Sequence, residues 1–217
     1  MKVEAVIFDL DGTLIDSIGG IAFALNRVLT ENGFPVHSIE TCKQLVGNGF
    51  VDLVRRAVPE EHRSEAEIQR YVSQLRAEYD RHWDYGMRVY DGIEDLLVHL
   101  QSRGIPFAVD TNKDEGVARR IVERYLSRFK FFRVSGTTPG MPKKPDPARA
   151  LEMAAGMGVT PRRCIYLGDS EVDIMTAKKA GMIQISAAWG FRSPDDLCRA
   201  GAERIIHKPM DLVSCLE

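Results

Sequence analysis

The chain runs almost wholly apolar from Val3 to Phe8, with Ala5-Val6-Ile7-Phe8 unbroken, and then stops at Asp9-Leu10-Asp11-Gly12-Thr13. A strand with one wet face alternates apolar and polar residues. A run that is apolar on both faces suits a strand covered on both sides, as in a parallel sheet flanked by helices. A further apolar run lies at Ile105–Val109, and strands are also expected at Phe131–Val134, Cys164–Leu167, Met182–Ala187 and Arg204–Ile206. Helical patterns separate these runs. Ile93, Leu96, Leu97 and Leu100 share one face of a helix that ends at Gly104, and Val117, Ile121, Val122 and Tyr125 share a face of the next. Asp146-Pro147 is expected as an N-cap followed by proline at the first helical position, and Glu171 to Ala180 forms a further helix. Strands and helices alternating in this way specify an α/β fold with a doubly wound, mainly parallel sheet.

One stretch breaks the alternation. Ile18, Ile21, Ala22, Leu25, Val28 and Leu29 line one helical face that stops at Gly33. A second long helix is expected from Ser64 to Trp83, with Ile68, Tyr71, Val72, Leu75 and Tyr79 on its apolar side. No convincing strand lies between them. Residues 16–86 are therefore expected as an all-helical domain inserted after the first strand, with 1–15 and 87–217 forming the core domain. A chain of 217 residues buries about 70% of its unfolded surface and needs no disulfide or metal to hold its core.

Composition excludes several classes. The 29 Lys and Arg against 31 Asp and Glu leave a net charge of −2, without the basic excess of a nucleic-acid surface. No apolar stretch approaches the ~18–20 residues that span a bilayer. The first apolar run is shorter than the core of a typical secretory signal. Cys42, Cys164, Cys198 and Cys215 are far apart and form no CxxC pair, which fits free thiols in a reducing cytoplasm. His37, His62, His82, His99 and His207 show no metal-ligand spacing.

In open α/β sheets the site lies beyond the carboxyl ends of the strands. Asp9, Asp11, Gly12 and Thr13 follow the first strand. Thr111, Asn112 and Lys113 follow the second, Lys143 and Lys144 the third across a loop, and Gly168, Asp169, Ser170 and Asp173 the fourth. Several carboxylates gathered on one rim repel unless a cation neutralises them. Hard oxygen donors without His or Cys favour Mg²⁺. A lysine, a hydroxyl and backbone N–H groups beside that ion suit a phosphoryl group. The residues thus point to Mg²⁺-dependent phosphoryl transfer.

Phe8-Asp9-Leu10-Asp11-Gly12-Thr13-Leu14 resembles the first motif of the haloacid dehalogenase superfamily. Thr111-Asn112 resembles its second, Lys144-Pro145-Asp146-Pro147 its third, and Gly168-Asp169-Ser170-Glu171-Val172-Asp173 its fourth. All four stand in order, and the helical insert resembles the small cap of the phosphoglycolate phosphatase-like branch. The resemblance implies that Asp9 is a nucleophile forming an aspartyl-phosphate and that Asp11 is the general acid and then base. It implies Mg²⁺ held by Asp9, Asp169 and the Asp11 backbone carbonyl, with Asp173 supporting the metal through water or orienting Lys144. It further implies that Thr111, the Asn112 N–H and Lys144 hold the phosphoryl oxygens. The expected partner is a small phosphorylated metabolite rather than nucleic acid or membrane. The insert would act as a lid.

Alternatives remain at this stage. A sugar-phosphate mutase or a pyrophosphatase of the same superfamily would use the same residues. A phosphoryl-accepting receiver also needs an acid cluster, a Thr and a Lys, though in another order. Thr111-Asn112 could simply cap a helix, and Asp16 and Ser17 look like the cap of the first insert helix. Gly47-Asn48-Gly49 reads as a turn, or as a cap loop touching the substrate. Arg192, after the fifth strand, sits on the same rim. Asp110 stands where the family usually has an apolar residue. It is expected to face away from the site and to find a basic or hydrogen-bonding partner. The sequence fixes neither the substrate nor the oligomeric state.

Overall fold

The computed structural model describes residues 2–217. Strand β1 (Ala5–Phe8) is buried at all four positions. The chain then bends at Gly12, whose φ of +83° favours glycine, and passes through β2 (Ile15–Asp16) into four helices: α1 (Ile18–Glu31), α2 (Ile39–Leu45), α3 (Phe50–Ala57) and α4 (Glu65–His82). It returns through β3 (Arg88–Val89), which pairs with β2. The remaining elements alternate: α5 (Ile93–Ser102), β4 (Phe107–Asp114), α6 (Glu115–Leu126), β5 (Val134–Thr137), α7 (Ala148–Gly156), β6 (Cys164–Gly168), α8 (Glu171–Ala180), β7 (Ile183–Ala187), α9 (Pro194–Arg199) and β8 (Ile205–Ile206). The chain divides into two compact units. One runs from Asp16 to Arg88, and the other joins the segment ending at Ile15 to Val89–Glu217.

Within the helical unit α1 packs on α4. Ile21, Leu25, Val28 and Leu29 of the first and Ile68, Tyr71, Leu75 and Tyr79 of the second are buried, the faces their 3.6-residue spacing selects. Ser64 caps α4, its hydroxyl accepting from the Glu67 N–H at 3.4 Å. Ser17 occupies the N-cap of α1 without a side-chain cap bond. Gly47-Asn48-Gly49 forms the turn into α3, with Gly49 at its N-cap.

In the other unit the six strands run in the order β5-β4-β1-β6-β7-β8, and every recorded pair among them is parallel. Ala5 and Ile7 of β1 join a buried cluster with Met153 and Ala154 of α7 and Ala177 of α8. Val6 and Phe8 point to the opposite face by the alternation of a strand, and they too are fully buried. That double covering explains the unbroken apolar run. The predicted helix Glu171–Ala180 has those bounds in the structure.

Three local expectations need correction. Thr111 and Asn112 do not cap a helix: β4 continues to Asp114, whose carboxylate caps α6 by accepting from the Gly116 and Val117 N–H groups at 3.0 and 3.2 Å. The strand expected at 131–134 begins at Val134. Its lead-in already bonds to β4, with Phe132 N–H donating to the Phe107 carbonyl at 2.8 Å and Val109 N–H to that of Arg133 at 2.9 Å. Pro147 stands at the cap of α7 rather than inside it, while Asp146 accepts from the Ala148 N–H at 2.9 Å.

Candidate active site

Strand order reverses around β1, with β4 on one side and β6 on the other. This is where an open α/β sheet forms its crevice. Asp9 leaves the end of β1, its N–H bonded to the Leu167 carbonyl at 2.9 Å. Asp169 leaves the end of β6, and Asp173 lies in the first turn of α8. One carboxylate oxygen from each of Asp9, Asp169 and Asp173 lies within 4.8 Å of the others.

Local bonds fix each acid. Asp169 Oδ1 accepts from the Thr13 hydroxyl at 3.0 Å and Oδ2 from the Phe191 N–H at 2.7 Å. Ser170, not Asp169, is the N-cap of α8. It forms a capping box with Asp173, whose Oδ2 accepts from the Ser170 N–H at 3.1 Å and hydroxyl at 2.5 Å. Asp173 Oδ1 is thereby left to meet the Lys144 ammonium at 2.7 Å. The same ammonium lies 2.9 Å from Asp9 Oδ1, but without the alignment of a hydrogen bond, so that buried oxygen has no donor. Gly12 and Gly190 press directly on the Asp169 side chain; a Cβ at either position would collide with it.

Three buried carboxylates with one ammonium carry excess negative charge, and the acid strengths show it. Burial, then the Asp173 carboxylate, push Asp9 well above the usual carboxylate range, against the opposing pull of Lys144. Burial and Asp173 push Asp169 up to about 7, although the Phe191 N–H and Thr13 hydroxyl favour its charged form. Burial alone would lower the Lys144 ammonium, but Asp173, Asp9 and Asp110 outweigh it and hold the lysine protonated. Hard oxygens, mutual repulsion and a donorless oxygen on Asp9 make a set of groups that fits a small divalent cation.

The other expected residues surround this cluster. The Asn112 side chain clamps the Lys144 backbone, accepting from its N–H at 2.9 Å and donating to its carbonyl at 3.1 Å. Thr111 is buried, and its Oγ1 accepts from the Lys113 N–H at 3.2 Å. The Asp11 carboxylate does not join the triad. Both of its oxygens receive the Lys113 ammonium at 3.0 Å. Sequence reasoning placed Lys113 on the rim without a partner. It placed Thr13 and Ser170 on the rim without partners and missed the Phe191 N–H; Ser170 meets Asp173 through a local capping box, whereas Thr13 and Phe191 are brought to Asp169 only by folding. Asp110 meets Arg149 at 2.9 Å and accepts from the Tyr166 hydroxyl at 3.0 Å. Arg149 also donates to the Thr111 carbonyl at 3.0 Å and to that of Gly136. Arg192 is held by Glu171 at 3.0 Å.

A doubly wound sheet that gathers carboxylates and a charged lysine at its switch point fits a protein that handles phosphoryl groups. Comparison with known proteins narrows the class. Residues 6–187 match the family described as haloacid dehalogenase-like hydrolase, and the chain belongs to that family. It is 32% identical over 193 residues to a phosphoglycolate phosphatase of Xanthomonas campestris pv. campestris, covering 89% of this chain and 86% of that one. It is 31% identical to the phosphoglycolate phosphatase of Chromobacterium violaceum, covering 99% and 97%. Among solved structures, a protein of Lactobacillus delbrueckii subsp. bulgaricus, provisionally named a phosphoglycolate phosphatase, superposes with a TM-score of 0.94. Its identity is 30%, over 100% of this chain and 99% of that one. The chain is thus a phosphatase-type member of the family. Among the described residues no helix is long and apolar enough to cross a membrane.

Proposed function

We propose that this protein is a Mg²⁺-dependent phosphomonoester hydrolase acting on a small phosphorylated metabolite, with phosphoglycolate as the first candidate by the names of its relatives. The observation that supports it most is the meeting of Asp9, Asp169 and Asp173 with the Lys144 ammonium at the sheet's carboxyl edge.

Asp9 is the nucleophile. Its carboxylate oxygen forms a bond to phosphorus as the bond from phosphorus to the leaving oxygen breaks, and Asp11 gives that oxygen its proton. Asp11 then takes a proton from water, which attacks phosphorus and restores the Asp9 carboxylate as phosphate leaves. Lys144 and Thr111, with the Asn112 N–H, hold the phosphoryl oxygens where negative charge grows. The Asn112 side chain positions Lys144, and Asp173 keeps its ammonium aimed at Asp9. Asp9, Asp169 and the Asp11 backbone carbonyl would hold the cation, with Asp173 supporting it. When bound, it neutralises the paired carboxylates and the phosphoryl group. The unit from Asp16 to Arg88 is assigned as the cap domain and the rest as the catalytic core. The four cysteines are free thiols, in keeping with a cytoplasmic enzyme.

A phosphate-release screen over phosphorylated metabolites, with Mg²⁺ present or chelated and with Asp9→Asn alongside, tests this. Mg²⁺-dependent release that Asp9→Asn abolishes is expected. Transfer of the phosphoryl group to a second sugar hydroxyl without phosphate release would mark a mutase instead, and release from pyrophosphate alone a pyrophosphatase. No release from any phosphoester, an activated aryl phosphate included, would defeat the reading.

A further inference from the structure

Lys113 is a buried lysine that the mechanism above leaves without a role. Its side chain is only 6% exposed, and its ammonium lies 3.0 Å from both oxygens of Asp11. The other buried cations serve other acids: Lys144 meets Asp9 and Asp173, Arg149 meets Asp110, and Arg192 meets Glu171. The two lysines therefore divide the site. Lys144 belongs to the phosphoryl side, where Asp9 attacks. On the proposed mechanism Lys113 lies on the side of the acid that protonates the leaving oxygen, and hence beside the leaving group.

An anion on that leaving group would enter a region already crowded with Asp9, Asp11, Asp169 and Asp173, and would be repelled unless a cation met it. An ammonium is a compact charge with three rotatable donors, so one group can bridge Asp11 and a second anion. We propose that Lys113 is a specificity-determining residue that selects phosphoesters whose leaving alcohol carries a carboxylate, or a similar anion, on the carbon that bears the ester oxygen. The proposal rests on the phosphomonoesterase reading and sharpens it to phosphorylated 2-hydroxy acids over neutral alcohol phosphates.

The test compares kcat/KM for 2-phosphoglycolate with that for ethyl phosphate, a neutral ester of the same length, in the wild type, Lys113→Met and Lys113→Arg, with an aryl phosphate as reference. The wild type is expected to prefer the carboxylate ester by about 10- to 100-fold, the worth of one charge-assisted contact. In Lys113→Met that ratio falls at least tenfold, mainly through KM for the carboxylate ester, and Lys113→Arg restores much of it. A Lys113→Met ratio equal to the wild type's would overturn the proposal, even if both rates drop together, because a residue that only positions Asp11 lowers both alike. If Lys113→Met does not fold, the wild-type ratio decides, since turnover of the aryl phosphate without preference for the carboxylate ester removes this inference alone. Failure to turn over any phosphoester removes the functional reading and this inference with it.

Discussion

Replacing Asp169 by Asn should stabilise the cation-free protein while destroying its function. The folded state holds this carboxyl at a pKa of about 7 against an ordinary 3.8, chiefly through burial. An acid whose folded pKa lies above its unfolded one is charged at a cost. That cost is absent below about pH 4, grows as pH rises toward 7, and is complete above it. A displacement from 3.8 to about 7 corresponds to roughly 4 kcal/mol at pH 8. The amide keeps part of the local bonding: its oxygen can accept from the Phe191 N–H, and its NH₂ can donate to the Thr13 hydroxyl, which accepts as readily as it donates. Losing two bonds to a charged acceptor takes back about 1–3 kcal/mol. The net gain is about 1–3 kcal/mol, or roughly 2–12 °C in Tm for a chain of this size. Thermal melts in chelator at pH 8 should show Asp169→Asn above the wild type. At pH 5 the gap should narrow, because the folded carboxyl is then protonated and only ionisation of the unfolded state still counts against the wild type. Added Mg²⁺ should raise the wild-type Tm and leave the variant unmoved. A variant that melts below the wild type at pH 8, or a gap as wide at pH 5 as at pH 8, would refute the electrostatic argument.

Three further outcomes follow from the same geometry. Asp9→Asn should lower phosphate release more than about 1,000-fold while leaving the far-ultraviolet circular dichroism unchanged. Lys144→Met leaves Asp9 and Asp173 without their ammonium, so urea denaturation should show a loss of about 3–5 kcal/mol in chelator, with activity lost as well; an unchanged midpoint would contradict the buried-pair reading. Asp110→Asn should keep most of the activity, because its partners are Arg149 and Tyr166, yet cost about 2–4 kcal/mol of stability by leaving Arg149 without its carboxylate. A catalytic loss like that of Asp9→Asn would place Asp110 in the chemistry after all.

The sequence alone determined the class of fold and the neighbourhood of the site. The apolar run of β1 cannot sit on a half-wet sheet, and the periodicities of α1 and α4 are those of helices with one buried face. Their bounds were legible because apolar spacing and capping residues act over a few positions. Where the chain is polar but still extended, the signal failed. Thr111-Asn112-Lys113-Asp114 carries no strand pattern, yet β4 runs through it, paired with β5 at Asp110–Ser135 and again at Asp114–Thr137 across a shift in register. Motifs placed Asp9, Asp169, Asp173 and Lys144 on one rim, but not which charge meets which.

Those pairings belong to the tertiary structure. Thr13 and Asp169 are 156 positions apart, and Lys113 and Asp11 are 102. Nothing local marks either pair. Whether Lys113 faces Asp11 while Lys144 faces Asp9 and Asp173 depends on the order in which strands are laid beside β1, and on the Asn112 clamp that sets the Lys144 loop. Periodicity and capping are short-range and can be read along a chain. The field inside a buried site is a sum over groups that only the completed sheet brings within a few ångströms.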